Sequence, residues 1–215
     1  MSYAKNNRLA LSYTPGTGGD MIRSCLYLLI HSDKCEYKDN SIYLNDEVIS
    51  FIDKNGWVLT PPWWKDDREF QLTPEIEAIW KCHHFESSAE VEHTFNLCDN
   101  PTFICIKDNK YLDVCRNNYI IKTRDGKSTS PEIDRFDQYI KFRKENPHNA
   151  NQIFYNLEKK HHIMYMDNFY DWNSLKQELK GFIKYYNITP NENFHIVKQF
   201  WNQWIKTQPW TKKDK

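Results

Sequence analysis

The chain predicts an α/β protein built on a mainly parallel sheet with helices on both faces, and three features of its 215 residues carry that expectation. An alternating apolar run (Leu9, Leu11, Tyr13) meets a turn of Pro15, Gly16, Gly18 and Gly19, and a helical pattern follows at once. Residues 102–106, TFICI, are apolar without alternation, as in a central strand covered on both faces, and a second helical pattern follows at 110–122. Beyond that, predicted helices and a last apolar strand, HIMYM at 162–166, keep alternating.

Taken in order, the first helix spans about 20–31. Residues 41–52, SIYLNDEVISFI, set two β-prone runs around Asn45-Asp46, which reads as a hairpin. The stretch 55–72 is aromatic and loop-like, with Pro61-Pro62 barring regular helix. Trp57, Trp63 and Trp64 make it a lid over a ligand or a loop stapled to the body, and the staple is favoured. Hairpin and loop form an excursion, about 35–72, from a single domain of 1–215. Thr73-Pro74-Glu75 opens a short helix, residues 78–85 (AIWKCHHF) read as a strand, and Ser87 with Glu90 has the spacing of a capping box. Asp125-Gly126 is a turn, and helices are expected at 131–145 and 149–160. Two more follow the last strand, at 172–186 and 190–205, the second packing through Phe194, Val197, Phe200, Trp201 and Trp204.

Lys plus Arg and Asp plus Glu are both 29, so the formal charge is zero. That balance argues against a general nucleic-acid binder, although a local basic patch would survive the average. No apolar run approaches the roughly 20 residues of a membrane span, and the N-terminal residues lack a signal-peptide core. A soluble, cytoplasmic protein is expected. Abundant Asn, Lys, Ile and Tyr suggest an AT-rich genome, such as that of a phage or a low-GC bacterium. The six cysteines form no CxxC pair and read as reduced core or site thiols. Cys82, His83, His93 and Cys98 fit no standard zinc spacing, so no metal is expected. His161-His162 opens a buried strand and reads as structural.

The glycine turn carries the chemistry. Such a loop aims several backbone N–H groups and the positive end of a helix at one point, which suits a phosphate. It is no Walker A motif, because Asp20 and Met21 stand where lysine and a hydroxyl belong. The plain alternative is a strand-to-helix turn with Asp20 as N-cap. Ligands of parallel sheets lie beyond the carboxyl ends of the strands. Three polar clusters fall at predicted strand ends, at 15–20, 81–84 and 107–109, and are expected to converge on one crevice.

The order of these motifs resembles the P-loop sulfotransferase family over about Leu9 to Ile188. Its P-K-[ST]-G-T-T loop looks like Pro15-Gly16-Thr17-Gly18-Gly19-Asp20, and its K-T-H segment looks like Lys81-Cys82-His83. Its R-N-P strand end, with a serine eight residues after the arginine, looks like Lys107-Asp108-Asn109 with Cys115. Its strand, acidic residue and helix near the C-terminus look like residues 163–188. The resemblance implies a P-loop-type topology and transfer of a sulfuryl group from 3′-phosphoadenylyl sulfate (PAPS) to a hydroxyl or amine of a small-molecule, glycan or peptide acceptor, without a metal. It implies that Gly16, Thr17, Gly18 and Gly19 hold the donor, that Lys107 and Cys115 stand at its 3′-phosphate, and that His83 is the base.

This sequence departs from the family at Gly16, Asp20, Lys107 and Cys115, where the family has lysine, a hydroxyl, arginine and serine, and no counterpart of a late R-K-G-x-x-G-x-W loop stands out. Lys81 is the candidate to replace the lysine, and Arg116 to help Lys107 grip the second phosphate. His83 and His84 are adjacent on a strand and face opposite sides, so only one enters a crevice. A carboxylate ~4 Å from a phosphate costs on the order of 4 kcal/mol at an effective dielectric near 20, so Asp20 must turn away as an N-cap or pair with Arg23.

Two other readings stand beside this one. A nucleotide kinase on a related fold lacks its Walker residues here. A fold without catalysis, kept as an interaction or structural component of, for example, a virus particle, would use the aromatics of 57–64 and of the last helix as its protein contact surface. Neither nucleic acid nor membrane is expected as a partner.

Overall fold

A computed structural model describes residues 9–14, 16–54, 56–60, 79–83, 101–122, 130–146, 159, 161–189 and 193–208, without the side chains of 80–83, 117–122, 130–133 and 135. The expected helices at 73 onward, 87 onward and 149–160, the turn at 125–126, and Trp63 and Trp64 lie outside the described residues. The architecture is mixed α/β. In chain order the elements are β1 (Leu9–Tyr13), α1 (Gly19–Ile30), β2 (Cys35–Lys38), β3 (Ser41–Leu44), β4 (Glu47–Ile52), β5 (Val58–Leu59), β6 (Ile79–His83) and β7 (Pro101–Cys105). Then come α2 (Lys110–Lys122), α3 (Ser130–Glu145), β8 (Ile163–Tyr165), a 3-10 turn (Met166–Tyr170), α4 (Trp172–Tyr185) and α5 (Phe194–Thr207).

Contacts divide the chain into two compact units, Met1–Gly19 with Trp80–Phe169, and Asp20–Ile79 with Tyr170–Lys215. The first unit is organised by a sheet of order β6-β1-β7-β8, in which β1 pairs with β7 and β7 with β8, both parallel. Every residue of β7 is buried, as the unbroken apolar run requires of a strand covered on both faces. α2 and α3 pack on each other in this unit.

The second unit holds an antiparallel meander, β2-β3-β4-β5. The hairpin expected at 41–52 is β3 and β4, and it turns on Asn45 and Asp46 at φ 49° and 68°. Two positive φ values in a two-residue loop match the twist of the flanking strands, and Asn and Asp tolerate them. β2 extends the hairpin by a second such turn, Asp39 and Asn40 at φ 50° and 61°. β5 then pairs with β4, so part of the aromatic stretch is strand.

Within the same unit, α1 is buried along nearly its whole length, including Met21, Ile22, Cys25, Leu26, Leu28 and Leu29. Each such side chain contributes about 1.5–3 kcal/mol on burial. Ser24 meets Ser50 of β4 by a 2.7 Å hydroxyl hydrogen bond. α4 starts where the Asp171 carboxylate accepts from the Ser174 N–H and hydroxyl, both at 2.8 Å. It ends at Asn187, φ 51°, with Asn187 N–H on the Lys184 carbonyl and Ile188 N–H on the Ile183 carbonyl, the two bonds of a Schellman motif. The end of α5 is tied down by Gln208, whose amide donates to the Trp204 and Gly56 carbonyls.

Candidate functional site at the carboxyl edge of the parallel sheet

The register brings two of the three expected clusters to one edge of the first unit. Tyr13 lies opposite Ile104, and Cys105 opposite Tyr165, so the glycine loop, residues 106–109 and Met166-Asp167 leave the sheet side by side. β6, which carries Lys81 and His83, is the neighbour of β1 on its other side. The side chains of Lys81 and His83 and the whole of His84 lie outside the described residues.

After β1 the chain turns on Gly16 and Gly18, at φ 85° and 81°. Thr17 is buried and folds back on the strand end, donating its N–H (3.2 Å) and its hydroxyl (2.7 Å) to the Thr14 carbonyl. Two of the glycines answer packing needs inside the protein. A Cβ on Gly16 would stand 2.5 Å from the Cys115 carbonyl oxygen of α2, and one on Gly19 would overlap the Tyr13 ring. Loop and helix therefore come as close as bare backbone permits. The first N–H groups of α1 have no intrahelical acceptor, as at any helix start.

The end of β7 is built differently. Asp167, directly after β8, accepts the Lys107 N–H at 2.9 Å with one carboxylate oxygen and the Asp108 N–H at 2.7 Å with the other. Two successive N–H groups on one anion are the arrangement that binds phosphate or sulfate elsewhere, and here the protein supplies the anion itself. Asp108 in turn accepts the Lys110 N–H at 2.9 Å and pairs with its ammonium at 3.0 Å, an exposed contact. Its carboxyl is held below the usual range first by that backbone bond and then by the side-chain bond. The Asn109 amide oxygen accepts from buried Arg143 at 3.0 Å.

Lys107 is exposed, its ammonium 5.2 Å from the centre of the Tyr165 ring. The other two residues expected at a second phosphate are engaged within the protein. Cys115 is fully buried and points its thiol at the Met166 sulfur, 3.0 Å away. Arg116 grips Asp137 through Nε and Nη2, the latter at 2.9 Å from Oδ2, which raises the guanidinium and lowers the carboxyl.

In the second unit, Asp20 has a partner of its own. Its carboxylate accepts the Thr60 hydroxyl at 2.6 Å, and its carbonyl accepts the Ser24 hydroxyl at 2.8 Å. Arg23, buried at 4 % exposure, donates to the Ile79 carbonyl at 2.7 Å and to the Thr60 hydroxyl at 3.4 Å. Thr60 thus joins the two charged residues for which the sequence offered a direct pair. Burial pushes Tyr27, beneath the Arg23 guanidinium, up to about 12 against the lowering effect of that charge.

Sequence reasoning gave no site role to Asp167 or Thr60. An acid immediately after a buried strand, as in HIMYMD, was the available signal for the first, because it must emerge where neighbouring strands end. Nothing local marks Thr60. Among the described residues, no group of three His, Cys, Asp or Glu side chains could hold a metal ion, and no helix is long and apolar enough to cross a membrane. The described cysteines, Cys25, Cys35, Cys105 and Cys115, are buried thiols outside any disulfide. Comparison of the chain with protein-family models, with curated proteins and with solved structures finds no match.

Proposed function

We propose that the chain is a divergent sulfotransferase-like protein that takes PAPS at the carboxyl edge of β1 and β7 and passes the sulfuryl group to a hydroxyl or amine acceptor. The observation that carries this reading is the strand–glycine loop–helix passage from β1 to α1, beside an exposed lysine at the end of the parallel neighbour β7. Sulfuryl transfer needs a held donor, charge relief on the leaving phosphate and a base for the acceptor. Gly18 and Gly19 N–H groups supply charge relief, Lys107 meets the 3′-phosphate, and Lys81 replaces the absent loop lysine. His83, with an ordinary pKa of about 6.5, takes the acceptor proton. The acceptor oxygen or nitrogen bonds to sulfur as the bond between sulfur and the 5′-phosphate oxygen breaks, and adenosine 3′,5′-bisphosphate leaves with that electron pair.

A second reading, a fold kept for interaction without catalysis, is favoured by the Asp167 carboxylate on the β7 end and by the engagement of Cys115 and Arg116. Turnover of labelled PAPS in the presence of mixed phenol, sugar and peptide acceptors separates the two. Transfer that disappears in His83→Ala supports the enzyme, whereas binding of adenosine 3′,5′-bisphosphate without any transfer supports the second reading.

A further inference from the structure

The neutral total hides a basic C-terminal region. From Tyr170 onward the sequence has eight lysines, no arginine and four carboxylates, an excess of four positive charges in a chain whose total is zero. Lys176, Lys180 and Lys184 lie at i, i+4 and i+8 on α4, one stripe rising about 6 Å per step. Lys198 and Lys206 repeat the i, i+8 spacing on α5.

The lysines of α2 and α3 behave otherwise. Lys110 pairs with Asp108, Lys141 with Glu145 and Lys144 with Asp113. Among the described residues, none of the five lysines of α4 and α5 meets a carboxylate. Three of them lie over aromatic rings instead: Lys176 and Lys180 at 5.0 and 6.0 Å from the Phe194 ring centre, and Lys198 at 5.7 Å from that of Trp172. These contacts join the two helices into one surface of cations and half-buried rings, and the two described acids of this stretch are Asp171, which caps α4, and Glu178 on α4 itself.

We infer that this α4–α5 face binds a single-stranded nucleic acid. Evenly spaced cations suit a chain of regularly spaced phosphates, and lysines that turn to phosphate uncover the Phe194 ring and the face of Trp172 away from Trp201, on which unpaired bases stack. An acidic peptide would use the charges and leave the rings idle, and so would an anionic membrane, which also needs a deeper apolar face than two rings provide. The inference is independent of the sulfotransferase reading.

The test is fluorescence anisotropy of a labelled twenty-nucleotide oligothymidine against the full chain, repeated from 50 to 200 mM salt. The expected result is micromolar binding at low salt with a log–log slope of about −3, the value for about four phosphates neutralised on a single strand. Lys176→Glu with Lys180→Glu and Lys198→Glu weakens it at least tenfold and flattens the slope, while thermal melting and far-UV circular dichroism stay as in the parent. Trp172→Phe, which keeps a ring, leaves the slope unchanged and retains most of the affinity. Absence of binding at 50 mM salt, binding untouched by the charge reversals, or equal capture by polyglutamate or phosphatidylserine vesicles overturns the inference.

Discussion

Two strand ends at one edge of the parallel sheet are finished in opposite ways. After β1 the chain has no side chain to spare: two residues at positive φ, a threonine folded back on the strand, and a helix start made of backbone. After β7 the corresponding backbone donors are already used, because Asp167 spans the N–H groups of Lys107 and Asp108. The first end is finished by backbone and close packing, and the second holds an anion of its own. An anion at the β7 end would meet the resident Asp167 carboxylate beside the exposed Lys107 ammonium. The proposed donor site therefore leans on the β1 end, and the Asp167 carboxylate weighs against it at the β7 end.

The largest effect is expected at the β1 end. Gly16→Ala forces a side chain into a left-handed conformation and against a main-chain carbonyl that cannot rotate away, at a cost of about 2–4 kcal/mol. Urea unfolding reads this directly, and a change below about 0.5 kcal/mol would mean that loop and helix α2 are not in close approach.

Next comes the opposite edge of the same sheet, which serves as a control for both ends. His162, at the amino end of β8, has its pKa lowered to about 4 by burial, against an ordinary 6.5. Its neutral form is the folded form, so the unfolded chain takes up the proton first as pH falls. Stability from this group is complete above pH 6.5 and is lost progressively between about 6.5 and 4. The loss amounts to on the order of 2 kcal/mol after allowance for partial exposure. Unfolding measured at pH 7 and 4.5 should show the drop in the parent and a smaller one in His162→Gln. An identical drop in both would assign the acid sensitivity to other groups.

Asp167→Asn sharpens the contrast itself. The amide accepts only one of the two backbone N–H groups and turns its NH2 on the other, so one bond is lost and the second loses its charge, costing about 2 kcal/mol, while the charge that opposes an incoming anion is removed. Inorganic phosphate or adenosine 3′,5′-bisphosphate should bind about tenfold more tightly, and calorimetry that finds equal or weaker binding would refute the opposition between resident and incoming anion. The smallest effect is expected for Arg116→Ala. Its ion pair with Asp137 is exposed, so stability should fall by no more than about 0.5–1 kcal/mol and less at high salt. A nucleotide affinity lost with it would return Arg116 to the site.

The parallel strands were legible because each is an apolar run of the right length followed at once by helical spacing, as at 9–30 and 102–122. The β3–β4 hairpin was legible because Asn45-Asp46 is a turn that only a few residue types can make. The same turn chemistry at Asp39-Asn40 went unread and β2 was missed, because Cys35–Lys38 is a four-residue strand with too few apolar positions to show a pattern. Gly16 and Gly19 were legible as a loop but not as packing devices, since the Cys115 backbone and the Tyr13 ring reach them only through the fold. Asp167 and Thr60 act on partners 60 and 40 residues away, and no local spacing encodes that distance.

The most direct test of the central claim is calorimetric titration of the parent chain with adenosine 3′,5′-bisphosphate, alongside Lys107→Ala. The account predicts micromolar binding that Lys107→Ala weakens at least tenfold. No heat of binding with millimolar ligand, in the parent and in Asp167→Asn alike, would contradict it and leave the β1 end as a strand-to-helix turn without a ligand.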